Sequence, residues 1–88
     1  MGEHMIEFDQ VIQDPQGLHA RPVALIFDLI GKHKSAVTLS IGDRRANGLD
    51  IMGLMGLEGE YGETLHFAID GEDEAICAAA LRKLLGEI

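Results

Sequence analysis

Tryptophan is missing from the chain, and tyrosine and cysteine each occur once. A single thiol cannot close an internal disulfide. Cys77 falls in an alanine-rich helical pattern and reads as a buried structural thiol. Basic residues are also scarce: seven lysines and arginines against fifteen aspartates and glutamates leave a formal charge of −8. That balance disfavours a general role on nucleic acid or on an anionic membrane, where a basic footprint is expected. It also means that any phosphate site must depend on local groups rather than on the overall field. No apolar run reaches membrane-spanning length and no secretory signal is visible, so the cytoplasm is the default expectation.

What is present is a chain of 88 residues, 47% of them apolar. That argues against disorder and for one domain, residues 1–88, with one modest core between two layers. Met1-Gly2-Glu3-His4 ahead of Met5 read as an expression leftover and take no part in the fold reading. There is no internal repeat, linker or low-complexity segment.

Residues 5–12 read as a first strand, with Ile6, Phe8 and Ile12 on one face and Gln10 interrupting it. Asp14-Pro15-Gln16-Gly17 is a turn cluster. Residues 20–31 read as a helix. Pro22 is tolerated in its first turn because the missing N–H has no partner there. Leu25, Ile26, Leu29 and Ile30 recur at helical spacing and are expected to face a core, and Gly31 is expected as the residue just past the helix. Residues 35–41 alternate, with Val37, Leu39 and Ile41 on one face. Gly42-Asp43 reads as a tight turn and 44–47 as a short partner strand. A short helix over 49–57 is expected, capped by Asp50, whose carboxylate can accept from free N–H groups. A loop over 58–63 leads to a strand over 64–70, with Leu65, Phe67 and Ile69 inward and His66 facing solvent. A last helix over 73–86 is expected, capped by Asp70 or Gly71, with Ile76, Cys77, Ala80, Leu81 and Leu84 as its apolar stripe. The order βαββαβα, with alternating strands, predicts an α+β open-faced β-sandwich in which three helices cover one face of the sheet.

The stretch Gly17-Leu18-His19-Ala20-Arg21-Pro22 stands where a strand hands over to a helix. Helix N-termini attract anions, because their first N–H groups lack intrahelical partners and the macrodipole is positive there. An imidazole at that point is placed to accept a phosphoryl group. The plainer alternative makes His19 a loop or N-cap histidine and Arg21 a solvated charge. A second cluster, Ile51-Met52-Gly53-Leu54-Met55 with Leu57, is too apolar for a short helix with one buried stripe. Exposed methionines there would make an adaptable apolar surface, unless all of these side chains serve the core.

These two motifs, GLHARP and IMGLM at their separation, resemble the HPr family, the histidine phosphocarriers of the bacterial sugar phosphotransferase system. The resemblance spans about Met5 to the C-terminus. It implies four antiparallel strands. It implies that His19 is phosphorylated on Nδ1 by enzyme I, ultimately from phosphoenolpyruvate, and passes the group to a IIA domain. It places Arg21, with the helix-start N–H groups at Ala20 and Arg21, on the phosphoryl group. It makes Ile51, Met52 and Met55 partner-facing and Leu54 a core residue, with Ala24 and Phe27 able to extend the patch. A neutral imidazole is both nucleophile and leaving group, and phosphoryl transfer needs chiefly positioning and charge stabilisation. No second catalytic group is evident. The chain therefore reads as a carrier rather than a stand-alone enzyme, needing no cofactor, and as a monomer that docks its partners in turn.

Two departures stand out. Asp50 occupies the position where many relatives carry a regulatory serine. Aspartate there either caps the helix or mimics a phosphorylated serine. Asp28 makes the first helix less basic than in related carriers, which opens a nitrogen-related or dihydroxyacetone kinase branch beside the sugar branch. A different class of reading is a regulatory binding module acting through protein contacts, with Asp50 as its distinguishing feature. A metal site built from His4, His19, His33 and His66 finds no recognised ligand spacing.

Overall fold

A computed structural model describes residues 5–88. Four strands and three helices follow the expected order: β1 (Ile6–Val11), α1 (Ala20–Gly31), β2 (Ala36–Ile41), β3 (Arg44–Asn47), α2 (Ile51–Gly56), β4 (Thr64–Asp70) and α3 (Glu74–Glu87). Residues 1–4, read above as a leftover and including His4, lie outside the described residues.

All strand pairs are antiparallel and the sheet order is β1-β4-β2-β3. Side chains alternate across a strand. In β2 and β4 the set Val37, Leu39, Ile41, Leu65, Phe67 and Ile69 is therefore buried, while their neighbours face out. Phe8 of β1 pairs directly with Phe67. Their rings stack at 4.8 Å, and the Arg82 guanidinium of α3 lies 4.6 Å from the Phe8 centroid. The helices close the same face. From α1 come Val23, Ile26 and Ile30, from α2 Leu54, and from α3 Cys77, Ala78 and Leu81. Burial raises the Cys77 thiol above its ordinary range, as a structural thiol requires.

Four local expectations need correction. Leu25 is exposed, because the buried stripe of α1 runs through Pro22, Val23, Ile26 and Ile30. Gly31 is the last residue of α1 rather than a left-handed glycine beyond it. The turn closes through Lys32, whose N–H donates to the carbonyls of Leu29 and Ile30 from ordinary helical angles. Ile76 is 68% exposed and lies off the α3 stripe. Neither Asp70 nor Gly71 caps α3. Asp70 ends β4, and Asp73 holds the N-cap position without capping. The Asp73 carboxylate accepts instead from Ser35 Oγ at 2.5 Å and from the Lys34 N–H at 2.9 Å, which ties the α1–β2 loop to the start of α3. Those bonds, the serine's foremost, hold its carboxyl below the usual range.

His66 lies on the open face of the sheet, as expected, but it is not a lone solvated side chain. Its Nδ1 is 2.5 Å from Asp9 Oδ1 on the directly opposed residue of β1, and its Nε2 is 2.8 Å from Glu7 Oε1. On the other side it stands opposite Ser40 of β2, with Arg45 of β3 beyond. The bond to Asp9, then the bond to Glu7, raises the His66 pKa. A folded-state pKa above the unfolded one stabilises the fold below the unfolded value and loses that contribution as pH rises through the folded value. His66→Ala should therefore cost more stability near about pH 6 than near about pH 9. Urea unfolding of both proteins at the two pH values checks this, and an equal cost at both contradicts it.

Candidate functional site

The turn between β1 and α1 sets the site. The Gly17 N–H donates to the Asp14 carbonyl at 2.8 Å, and the Gln16 N–H donates to Asp14 Oδ1 at 2.9 Å. Gly17 has φ +75°, and a Cβ there would stand 2.4 Å from the Gly59 carbonyl oxygen. Only glycine satisfies both constraints without displacing the loop. The Leu18 N–H donates to that same carbonyl at 2.8 Å, and its side chain is buried. Two more bonds, from the Ile12 N–H to Glu63 and from the Gly62 N–H to Ile12, bind the segment to the α2–β4 loop. The histidine is thus presented from a braced connection.

His19 occupies the N-cap of α1 in extended geometry, but its side chain does not cap the helix. The ring is turned so that Nε2 lies 2.8 Å from Asp14 Oδ2, both side chains being about one-third exposed. Among the described residues, no hydrogen bond engages Nδ1. The Val23 N–H donates to the His19 carbonyl at 3.2 Å, which closes the first helical turn. Pro22 has no N–H to offer. The backbone N–H groups of Ala20 and Arg21 are left as the unpaired donors at the positive end of a helix 12 residues long. The Arg21 side chain is exposed beside them. The Gln16 N–H first, and then the His19 ring, hold the Asp14 carboxyl below the usual range, and the charge of Arg21 adds to this.

A groove of about 260 Å³ opens next to His19, lined by Arg21, Leu25, Leu85 and Ile88 among others. Leu25 thus borders the site instead of the core. Among the described residues, no group of three or more His, Cys, Asp or Glu side chains is placed to hold a metal ion. His33 Nδ1 bonds the Leu29 carbonyl at 2.9 Å, and His19 and His66 stand in separate carboxylate contacts.

On α2, Ile51, Met52 and Met55 are 40, 77 and 38% exposed, while Leu54 and Leu57 are buried. The helix therefore divides its apolar residues between core and surface. It lies against α1, where Ala24 is exposed and Phe27 is half-buried against the core. Leu49, exposed just before α2, adds apolar surface that the sequence reading had placed inside the helix. Asp50 is the N-cap, and its Oδ1 accepts from the Gly53 N–H at 3.0 Å. Asp28 pairs with Lys32 at 3.3 Å one turn on, so the acid on α1 has its counter-charge beside it.

Sequence reasoning named His19, Ala20 and Arg21, and the fold brings them together. It missed Asp14, which it read only as part of a turn. A carboxylate five residues before the histidine across a tight turn was the one hint, and it does not distinguish a turn-closing aspartate from one that also reaches the ring.

Proteins of similar sequence and fold fall in one family. The family model described as the PTS HPr component phosphorylation site matches residues 6–87. The phosphocarrier protein HPr of Xylella fastidiosa strain 9a5c is 38% identical over 80 residues, covering 91% of this chain and 90% of that protein. The HPr of Neisseria meningitidis serogroup B is 39% identical over 69 residues, covering 78% of each. Among solved structures, HPr of Thermoanaerobacter tengcongensis superposes with a TM-score of 0.86 at 31% identity, covering 92% of this chain and 91% of that one. The histidine-containing phosphocarrier protein of Mycoplasma does so at 0.87 and 26%, covering 91% of each.

The brace under His19 makes a stability prediction. Gly17→Ala forces a side chain into left-handed backbone and against the Gly59 carbonyl, at a cost of about 2 kcal/mol. Urea denaturation should show a lowered midpoint at unchanged slope, whereas an unchanged midpoint would mean that the two loops are not in contact.

Proposed function

The chain belongs to the family of the PTS HPr component, and on that footing we propose that it is a phosphocarrier in which His19 receives a phosphoryl group on Nδ1 from enzyme I and passes it to a IIA-type acceptor. The observation that carries this reading is the juxtaposition at the start of α1. An imidazole with an unengaged Nδ1 stands where two unpaired backbone N–H groups and one guanidinium can meet an anion.

The transfer is a displacement at phosphorus. The Nδ1 lone pair forms the new N–P bond while the donor's bond to phosphorus breaks, and its electron pair leaves with the donor. The three phosphoryl oxygens then need donors. The N–H groups of Ala20 and Arg21 supply them from the backbone, and the planar fork of Arg21 fits two oxygens at once. Donation onward reverses the step. The chain needs no base of its own, because no proton leaves the imidazole during the exchange. It acts as a carrier that its partners' catalytic groups complete, and it works in the cytoplasm as a monomer.

Ile51, Met52 and Met55, extended by Ala24 and Phe27, form the docking surface. Unbranched methionines can repack against several partners, which suits a carrier that meets a donor and an acceptor in turn. The role of Asp50 follows from its geometry. Its carboxylate is engaged by the Gly53 N–H, which supports a cap over a mimic of phosphoserine. The regulatory-module reading therefore gains no support from this residue.

Incubation with enzyme I and phosphoenolpyruvate, read by intact mass, should add one acid-labile phosphoryl group to the protein and none to a folded His19→Ala variant. Phosphorylation that survives the substitution would overturn the assignment. Met52→Ala should weaken the complex with enzyme I about fivefold, a typical loss for an interface side chain, when measured by titration calorimetry. Asp50→Ser retains a capping side chain and should be phosphorylated at the wild-type rate. A much faster rate would instead establish aspartate as a standing inhibitory charge.

A further inference from the structure

We infer that Asp14 is a positioning residue for phosphoryl transfer, fixing which nitrogen of His19 reacts and meeting the charge that the ring acquires. This rests on the phosphocarrier reading of His19.

The argument starts from the imidazole. A neutral ring has one N–H and one lone pair, and whichever nitrogen donates leaves the other as the nucleophile. A carboxylate only accepts. With Asp14 Oδ2 2.8 Å from Nε2, the stable arrangement places the proton on Nε2, donated to Asp14, and the lone pair on Nδ1. Carboxylates that bond the far nitrogen of a reacting or metal-binding histidine fix its tautomer and ring angle in the same way.

Asp14 is itself held for this role. Its Oδ1 accepts the Gln16 N–H at 2.9 Å and its main-chain carbonyl accepts the Gly17 N–H at 2.8 Å, so its other oxygen is aimed at the ring.

When Nδ1 attacks phosphorus, the lone pair becomes the N–P bond and the ring becomes an imidazolium that keeps its Nε2 proton. Its positive charge then faces the Asp14 carboxylate. Arg21 and the helix-start N–H groups are left for the phosphoryl oxygens. The site thus separates two tasks: the carboxylate serves the ring, and the helix start serves the phosphate. On the return step the ring leaves as a neutral imidazole with the proton still on Nε2.

The informative variant is Asp14→Asn. The amide has nearly the shape of the carboxylate. Its oxygen can keep the bond from the Gln16 N–H, but its NH2 then faces His19 Nε2. An NH2 donates, so the ring proton is driven to Nδ1 and the nucleophile is blocked. Phosphoramidate serves as a small phosphoryl donor that needs no partner protein. Nitrogen-15 NMR of labelled histidine should show wild-type His19 protonated on Nε2 and phosphorylated on Nδ1. In Asp14→Asn the Nδ1–H form should rise, phosphorylation should slow about tenfold, and part of the product should move to Nε2. Thermal unfolding of the two proteins should coincide, which separates this effect from loss of the turn. An unchanged tautomer, rate and product in the variant would overturn the role of Asp14 and leave the carrier reading standing. If neither phosphoramidate nor enzyme I phosphorylates wild-type His19, the carrier reading falls and takes this role with it.

Discussion

The packing of one face of a four-stranded sheet against α1 and α3 is the constraint on which everything else in this molecule depends. Phe67 is fully buried, stacked on Phe8 and opposite Leu39, and it shares one apolar cluster with Ile26 and Leu81. Burying a side chain of this size contributes a few kcal/mol, a substantial part of the net stability of a domain of this length. That packing fixes where α1 begins relative to the end of β1, and so fixes the turn that carries His19. The loop after α2 braces the same turn from the side through the Gly59 carbonyl. The position of His19 is thus set by the fold itself.

Functional groups occur where the apolar requirement is relaxed. The first turn of α1 leaves the N–H groups of Ala20 and Arg21 unpaired because the chain upstream turns away and offers them no carbonyl. A short helix, α2, divides its apolar residues between core and surface, which leaves Met52 and Met55 exposed. Charge follows the same division. The net charge is strongly negative, yet the proposed phosphoryl site has unpaired backbone N–H groups and Arg21 beside it, and the nearby acids are already engaged. Asp14 faces the His19 ring, Asp28 pairs with Lys32 and Asp50 caps α2.

The order of elements and most of the core were legible because they rest on period alone. Val37, Leu39 and Ile41 alternate, and Ile26 and Ile30 recur one turn apart. Leu25 and Ile76 were misread because an apolar residue at the edge of a stripe carries no mark of which side it takes. The Gly31 expectation failed because a helix can also end by tightening its last turn through Lys32. The caps of α3 were misassigned because Asp73 spends its carboxylate on Lys34 and Ser35, a contact that depends on how distant segments meet. The same limit hid the Glu7–His66–Asp9 cluster, whose members lie 57 and 59 residues apart and meet only through the β1–β4 register. His19 and Arg21 were legible as a motif. Asp14 was not, because nothing in a turn sequence tells whether an aspartate closes the turn alone or also reaches a ring five residues on.

The central proposal is that His19 receives the phosphoryl group and that the backbone N–H groups at the start of α1 hold its oxygens. Amide proton NMR of the protein before and after phosphorylation tests it most directly. The account predicts large downfield shifts of the Ala20 and Arg21 amide protons in the phosphorylated form, with the amides of the sheet unmoved. Phosphorylation that leaves those two amides at their original positions would contradict it.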